Sequence, residues 1–273
     1  MDLAKILKVF DDKKYSVFAQ ENKNNFINAK PFKHAVFDEF LPYDIAREVA
    51  KCYPKAGSSN KNWKYHKNSN VERYLLEDTT DFEPELAAFS ASLCSRSFLL
   101  FLETLTGIKA LLADPYFMGG GAMATGTNGF LNVHVDYNYN QKIQGWRRLN
   151  FLLYLTEEWE KEYKGNLQLF SYDGSSLVKE VTPFFNRAVV FETTSTSFHG
   201  QPEPLACPTD IYRNVFSAFY YTSEISEQSH PFPHYTLYRD NKTIQRASME
   251  SSPYAELITE QYLDVEKALD QKQ

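Results

Sequence analysis

Beyond Gly107 the sequence stops reading as helix and becomes a series of short apolar runs broken by turns. The runs are LLADPYFM, GGGAMATG, GFLNVHVDYNY, RRLNFLLYLT, NLQLFSYD, RAVVFET and IYRNVFSAFYYT. Each has strand length, and Gly, Pro, Asn, Asp or Ser punctuates the gaps. No helical pattern separates them, which excludes a chain of βαβ units and leaves a β-sandwich or barrel. The aromatic content points the same way: 21 Phe and 18 Tyr against 11 Gly suit pleated, half-buried surfaces.

Ahead of Gly107 the pattern is different. Residues 1–30 read as a short amphipathic helix carrying Leu3, Ile6, Leu7 and Phe10, then a polar link rich in Asn and Lys. This extension is expected to pack on the outside of the main domain. His34 to Phe40 has strand character, Leu41-Pro42 turns the chain, and Asp44 to Cys52 reads as a helix with Asp44 as its cap. Residues 55–71 read as a polar loop anchored by Trp63. PELAAFSASLCSRSFLLFLETLTG reads as one helix buried against the sheet, ended by Gly107. Residues 31–223 then make the single β domain. Residues 224–273 form a polar tail, helical around Tyr254 to Leu269, and either terminus is placed to act as a lid.

Charge and cysteine content narrow the partners. The formal net charge is −6 and no basic stripe occurs, so no nucleic-acid partner is expected. No apolar run reaches the length of a membrane span, and the N-terminus does not read as a signal peptide. Cys52, Cys94 and Cys207 are odd in number and far apart. They fit reduced thiols in a cytoplasmic protein rather than a disulfide framework.

The run FLNVHVDYNYN carries the first chemical signal. On a strand, His134 and Asp136 project to the same face while Val135 points away. An imidazole and a carboxylate on one rigid face are two legs of the 2-His-1-carboxylate triad that holds non-haem Fe(II). His199, in FETTSTSFHGQPEPL, follows a strand-like run and offers the third leg, and Gly200 beside it allows close backbone approach. Arg213 comes next, on the apolar run IYRNVFSAFYYT. A guanidinium there is costly unless paired, and its fork matches a carboxylate. Each residue alone has a structural reading. His134 can be a hydrogen-bonded core histidine, and Arg213 can pair with Asp210 or Glu192. His34, His66, His230 and His234 read as structural or solvated. The Gly119–Gly121 turn offers bare backbone near the metal strand.

In this order the residues resemble the Fe(II)/2-oxoglutarate-dependent dioxygenases, with the likeness strongest to the prolyl-4-hydroxylase-like branch. Supporting stretches are PFKHAVFDEFLP, FLETLTGI, DPYFMGGGAM, LNFLLYLTEEWEKEYKGNLQLF and HGQPEPLACPTDIYRNVFSAFYYT, spread over residues 31–222. The resemblance implies a mainly β fold with flanking helices, a double-stranded β-helix (a distorted, cupin-like jelly roll). It implies Fe(II) on His134, Asp136 and His199. It implies 2-oxoglutarate with its far carboxylate on Arg213 and Tyr154, with Asn150 on the same inward face of its strand as a lesser candidate. Many relatives carry Ser two residues after the arginine, where this chain has Val215. The implied reaction uses O2 to hydroxylate an unactivated C–H of a small molecule or a peptidyl residue such as proline, giving succinate and CO2. Asp136 favours hydroxylation over halogenation, because related halogenases lack that carboxylate. Desaturation or cyclisation would use the same site. A non-catalytic cupin-like metal-binding protein would not need Arg213. Tyr137, Asn138, Tyr139 and Trp146 are the expected substrate contacts near the mouth.

Overall fold

The apolar runs beyond Gly107 pair into one antiparallel sheet in the computed structural model of the protein, which describes residues 2–227 and 231–239. The strands are β1 (His34–Phe37), β2 (Lys64–Lys67), β3 (Val71–Leu76), β4 (Leu112–Ala113), β5 (Gly121–Thr125), β6 (Phe130–Val135) and β7 (Tyr139–Asn140). They continue with β8 (Gly145–Tyr154), β9 (Leu167–Phe170), β10 (Leu177–Val181), β11 (Ala188–Glu192), β12 (His199–Gln201), β13 (Arg213–Thr222) and β14 (Leu237–Tyr238). They hydrogen-bond in the order β1-β11-β8-β13-β5-β3-β6-β12-β9-β10, with β2 on β3, β4 on β13, β7 on β8 and β14 on β6.

Strand alternation sorts the side chains into two cores. On β8, Leu149, Phe151 and Leu153 face one side, together with Val190 of β11 and Phe216 and Ala218 of β13. The alternate residues Tyr154, Val189, Phe191, Val215 and Phe219 face the other side and meet Leu167, Leu169 and Val181 from β9 and β10. One end of the sheet therefore curls over to face the other. This is the mainly β, double-stranded β-helix with flanking helices expected from the sequence.

The helices α1 (Leu3–Leu7), α2 (Lys13–Asn28), α3 (Tyr43–Lys51), α4 (Pro84–Leu93) and α5 (Arg96–Thr106) cover the outer face. Phe40 is fully buried and its ring meets those of Phe10, Tyr15, Phe37, Phe101 and Phe151, so α1, α2 and the turn between them share the main core. Gly107 ends α5 in the left-handed conformation (φ 79°), as expected of a C-terminal glycine.

Four local expectations are corrected. The polar link after Phe10 is the sixteen-residue helix α2. Asp12 caps it by accepting from the Lys14 amide, and Tyr15, Ala19 and Phe26 are its buried residues. So narrow an apolar stripe is hard to see among Lys, Asn and Gln. The run 84–106 is two helices, because Ser95 starts a new one by accepting from the Phe98 amide. The 55–71 loop contains β2 and runs into β3, a hairpin whose outer strand is fully exposed and so carries no apolar alternation. Asp44 lies in the first turn of α3 and makes no side-chain cap there. The helix expected at 254–269, like His230, lies outside the described residues.

Candidate metal centre

His134 sits near the end of β6 and Asp136 just past it, so the period-2 spacing turns both toward one point. The antiparallel pairing of β12 with β6 sets His199 opposite His134. Gly200 makes that pairing possible: a Cβ there would lie 2.9 Å from the Leu131 carbonyl oxygen and 3.0 Å from that of Asn132. The ring centroids of His134 and His199 are 4.4 Å apart, and the ligand atoms of the three residues all lie within 4.8 Å of one another. Nδ1 of His134 is 2.7 Å from the Asn132 carbonyl oxygen, and Nδ1 of His199 is 2.9 Å from that of Ser197. With Nδ1 as donor, each ring presents a bare Nε2 to the centre, the arrangement a metal-ligating histidine needs. These nitrogens stand 3.6 and 3.4 Å from the Asp136 carboxylate oxygens.

Two neighbours hold Asp136 in its charged form. Arg147 places Nη2 3.1 Å from Oδ2, and Asn150 donates to the same oxygen at 2.7 Å. Burial alone would raise the Asp136 pKa, but Arg147, His199 and His134 keep it well below the ordinary carboxylate value. Burial pulls His199 down to about 4, against the pull of Asp136, so its ring is neutral at pH 7. A neutral imidazole and an ionised carboxylate are the forms that bind a divalent metal.

The triad opens on a cavity of about 190 Å³ lined also by Arg213, Phe191, Leu152, Val215 and Tyr238. Tyr154 places its hydroxyl 3.3 Å from Nη2 of Arg213, whose guanidinium lies 5.0 Å from the tyrosine ring centre. Neither acid considered from sequence pairs with it: Glu192 binds Lys33 at 2.9 Å and reaches toward Arg148 at 3.9 Å, and Asp210 makes no ion pair with Arg213. The buried Nε of Arg213 has no hydrogen-bond partner among the described residues. A guanidinium so placed is costly unless an acid from outside the chain meets it. The two imidazoles and one carboxylate suit Fe(II), and the orphaned arginine suits the far carboxylate of 2-oxoglutarate.

The other expected residues divide. Asn150 lines the cavity but serves Asp136 and Arg147. Tyr137 lines it too, with its hydroxyl 2.7 Å from both the Tyr221 hydroxyl and the Met118 carbonyl oxygen. Asn138, Tyr139 and Trp146 are not on the cavity wall. Asn138 clamps the C-terminal segment, donating to the Phe232 carbonyl at 2.9 Å and accepting from the His234 amide at 2.7 Å. Tyr139 and Trp146 pack on each other, 4.9 Å between centroids, across the β7–β8 pair. Gly119 borders the cavity, while Gly121 (φ 78°) is needed because a Cβ would strike the Leu76 carbonyl oxygen.

Sequence reasoning missed Arg147, Arg73 and Tyr238. Strict alternation puts Arg147 on the helix side with Leu149 and Phe151. A register shift between Tyr220 and Tyr221 on β13 inserts an extra residue on β8 and turns Arg147 inward. Arg73 had a readable signal, a cation between Val71 and Leu75 on one strand face. Tyr238 arrives from the tail: β14 pairs with β6 and sets its ring, tilted, 5.5 Å from that of His134.

A His-Asp-His centre at the mouth of a curled antiparallel sheet, with an unpaired arginine in the same cavity, defines a non-haem Fe(II) oxygenase site. Residues 120–221 match the family model described as the 2OG-Fe(II) oxygenase superfamily, and this stretch, which carries His134, Asp136, His199 and Arg213, belongs to that superfamily. The chain is 32% identical over 202 residues to prolyl 3-hydroxylase OGFOD1 of Mus musculus, covering 72% of this chain and 31% of that one. It is 36% identical over 72 residues to the Xenopus laevis protein of the same name, covering 25% of this chain and 14% of that one. The chain thus spans less than a third of the length of these relatives. Among solved structures it is similar in fold to HygX from Streptomyces hygroscopicus with nickel and 2-oxoglutarate bound. That match has a TM-score of 0.50 and 10% identity, covering 76% of this chain and 89% of that one.

Proposed function

We propose that this chain is a 2-oxoglutarate-dependent dioxygenase that hydroxylates an unactivated C–H of a small molecule or a peptidyl residue. The observation that carries the reading is the unpaired Arg213 beside the His134–Asp136–His199 centre. A purely metal-binding protein on this scaffold has no use for that buried cation. Bound iron with 2-oxoglutarate would supply O2 activation, with succinate and CO2 as co-products. The chain's own work is positional. Arg213 and Tyr154 hold the far carboxylate, Asn150 and Arg147 fix Asp136, and Tyr238 with Thr236 covers one side of the cavity against water. A prolyl ring is the first substrate group to try, because the curated relatives are named prolyl 3-hydroxylases. A cytoplasmic location fits the free thiols of Cys52, Cys94 and Cys207.

The test is coupled turnover. Protein supplied with Fe(II), 2-oxoglutarate and O2 is offered proline-containing peptides and small molecules, and succinate is measured with product mass. The reading predicts succinate in step with a product bearing one added oxygen, and neither with His199→Ala. Succinate no higher than in His199→Ala, across substrates and in their absence, would refute it.

A further inference from the structure

A second arginine borders the cavity and, among the described residues, has no acid paired with it. Arg73 lies on β3, which neighbours both β6, the strand of His134, and β5. β5 in turn separates it from β13, the strand of Arg213. Its Nε is buried without a hydrogen-bond partner, and its Nη1 rests against the Met123 thioether at 3.5 Å, a weak acceptor. The nearest acids in sequence are engaged elsewhere. Glu72 accepts from the Tyr65 hydroxyl at 2.6 Å and Lys67 at 3.0 Å, and Glu77 binds Lys64 and the Gly119 amide. Among the described residues no carboxylate forms an ion pair with Arg73. Arg73 also lines a second depression of about 200 Å³ with Tyr74, Thr127 and Tyr212, so it can be reached from both sides.

The charges around the centre show what Arg73 is for. With a divalent metal and 2-oxoglutarate in place, the metal, Arg147 and Arg213 would outweigh Asp136 and the two cosubstrate carboxylates by one positive charge. Arg73 makes the excess two. A cavity so charged attracts an anion and repels a cation, and a partly buried guanidinium gains most from a bidentate carboxylate. The cosubstrate already has Arg213 and Tyr154 for its far end.

We propose that Arg73 recognises the oxidised substrate, and that this substrate presents a carboxylate: a free or N-acylated amino acid or a similar small organic acid. This rests on the dioxygenase reading and names the substrate class within it. A neutral internal residue of a peptide would leave Arg73 unmet.

The experiment separates the two claims. Wild type, Arg73→Gln, Arg73→Lys and Arg213→Gln are loaded with Fe(II) without O2, and 2-oxoglutarate is titrated against the visible metal-to-ligand charge-transfer band. Arg73→Gln should need the wild-type concentration within about twofold, which also shows that it folds, while Arg213→Gln should need at least about tenfold more. A panel of N-acetyl amino acids and their carboxamides is then bound to the loaded protein and read by ligand-observed NMR. The expected result is at least one acid that binds about tenfold or more tightly than its amide, a preference lost in Arg73→Gln and partly kept in Arg73→Lys. Acids and amides binding alike, or none binding, would overturn the assignment. So would Arg73→Gln weakening 2-oxoglutarate as much as Arg213→Gln does. Absence of the band in wild type would instead overturn the dioxygenase reading, and this assignment with it.

Discussion

Asn150 donates from Nδ2 to Oδ2 of Asp136 at 2.7 Å while its own Oδ1 accepts Nε and Nη2 of Arg147 at 2.9 and 2.6 Å. The two guanidinium donors fix which end of the amide is oxygen, so the NH₂ can only face the carboxylate. One side chain thereby holds a metal ligand and a cation in register. Asn150→Ala should leave the fold intact and weaken metal binding about 10- to 100-fold, the usual cost of losing a partner that orients a ligand. A Co(II) titration against a competing chelator measures it.

Tyr154 meets Arg213 through a single hydroxyl at 3.3 Å, from a fully buried ring. Tyr154→Phe keeps the ring and removes that contact. The expected loss is about 1 kcal/mol, roughly a fivefold rise in the 2-oxoglutarate concentration for half-saturation, with metal affinity unchanged. Calorimetric titration of 2-oxoglutarate into the metal-loaded protein checks both halves.

Asn138 is an anchor for the chain that covers the metal mouth. Its side chain makes two hydrogen bonds to residues 232 and 234, just ahead of β14. Asn138→Ala should raise amide exchange at Leu237 and Arg239 about tenfold or more, since each lost bond is worth about 1 kcal/mol. Exchange in the helices covering the sheet should not change. Hydrogen exchange followed by mass spectrometry resolves the two regions.

His34 is buried on β1, with Nδ1 2.9 Å from the Phe32 carbonyl oxygen. Burial lowers its pKa from the ordinary 6.5, only partly offset by that carbonyl. A folded-state pKa below the unfolded one means the unfolded chain binds the proton more readily. Stability from neutral His34 is therefore present above about pH 6.5 and lost as pH falls toward the folded-state value. Urea midpoints should decline over that acidic range, and His34→Gln should flatten this part of the curve.

The inner and outer faces of β8, β11 and β13 were legible because alternation between two buried faces leaves long apolar runs with a few polar residues in phase. Arg213 stood out in this way on β13, and His134 on β6, Asp136 just past it and His199 on β12 stood out beside the apolar runs of their own segments. What escaped reading has specific causes. Arg147 sits beside a register shift, and one inserted residue inverts the inward and outward assignment. The helix α2 buries too few side chains to raise its periodicity above its polar background. Tyr238 reaches the site through a two-residue strand, and no local pattern in PHYTLYRD announces that β14 pairs with β6.

The most direct measurement is the anaerobic titration of Fe(II)-loaded protein with 2-oxoglutarate, beside His199→Ala and Arg213→Ala. A visible charge-transfer band in wild type, absent in His199→Ala and needing far more 2-oxoglutarate in Arg213→Ala, is the predicted result. Folded, iron-loaded wild type that develops no band at saturating 2-oxoglutarate would contradict the account.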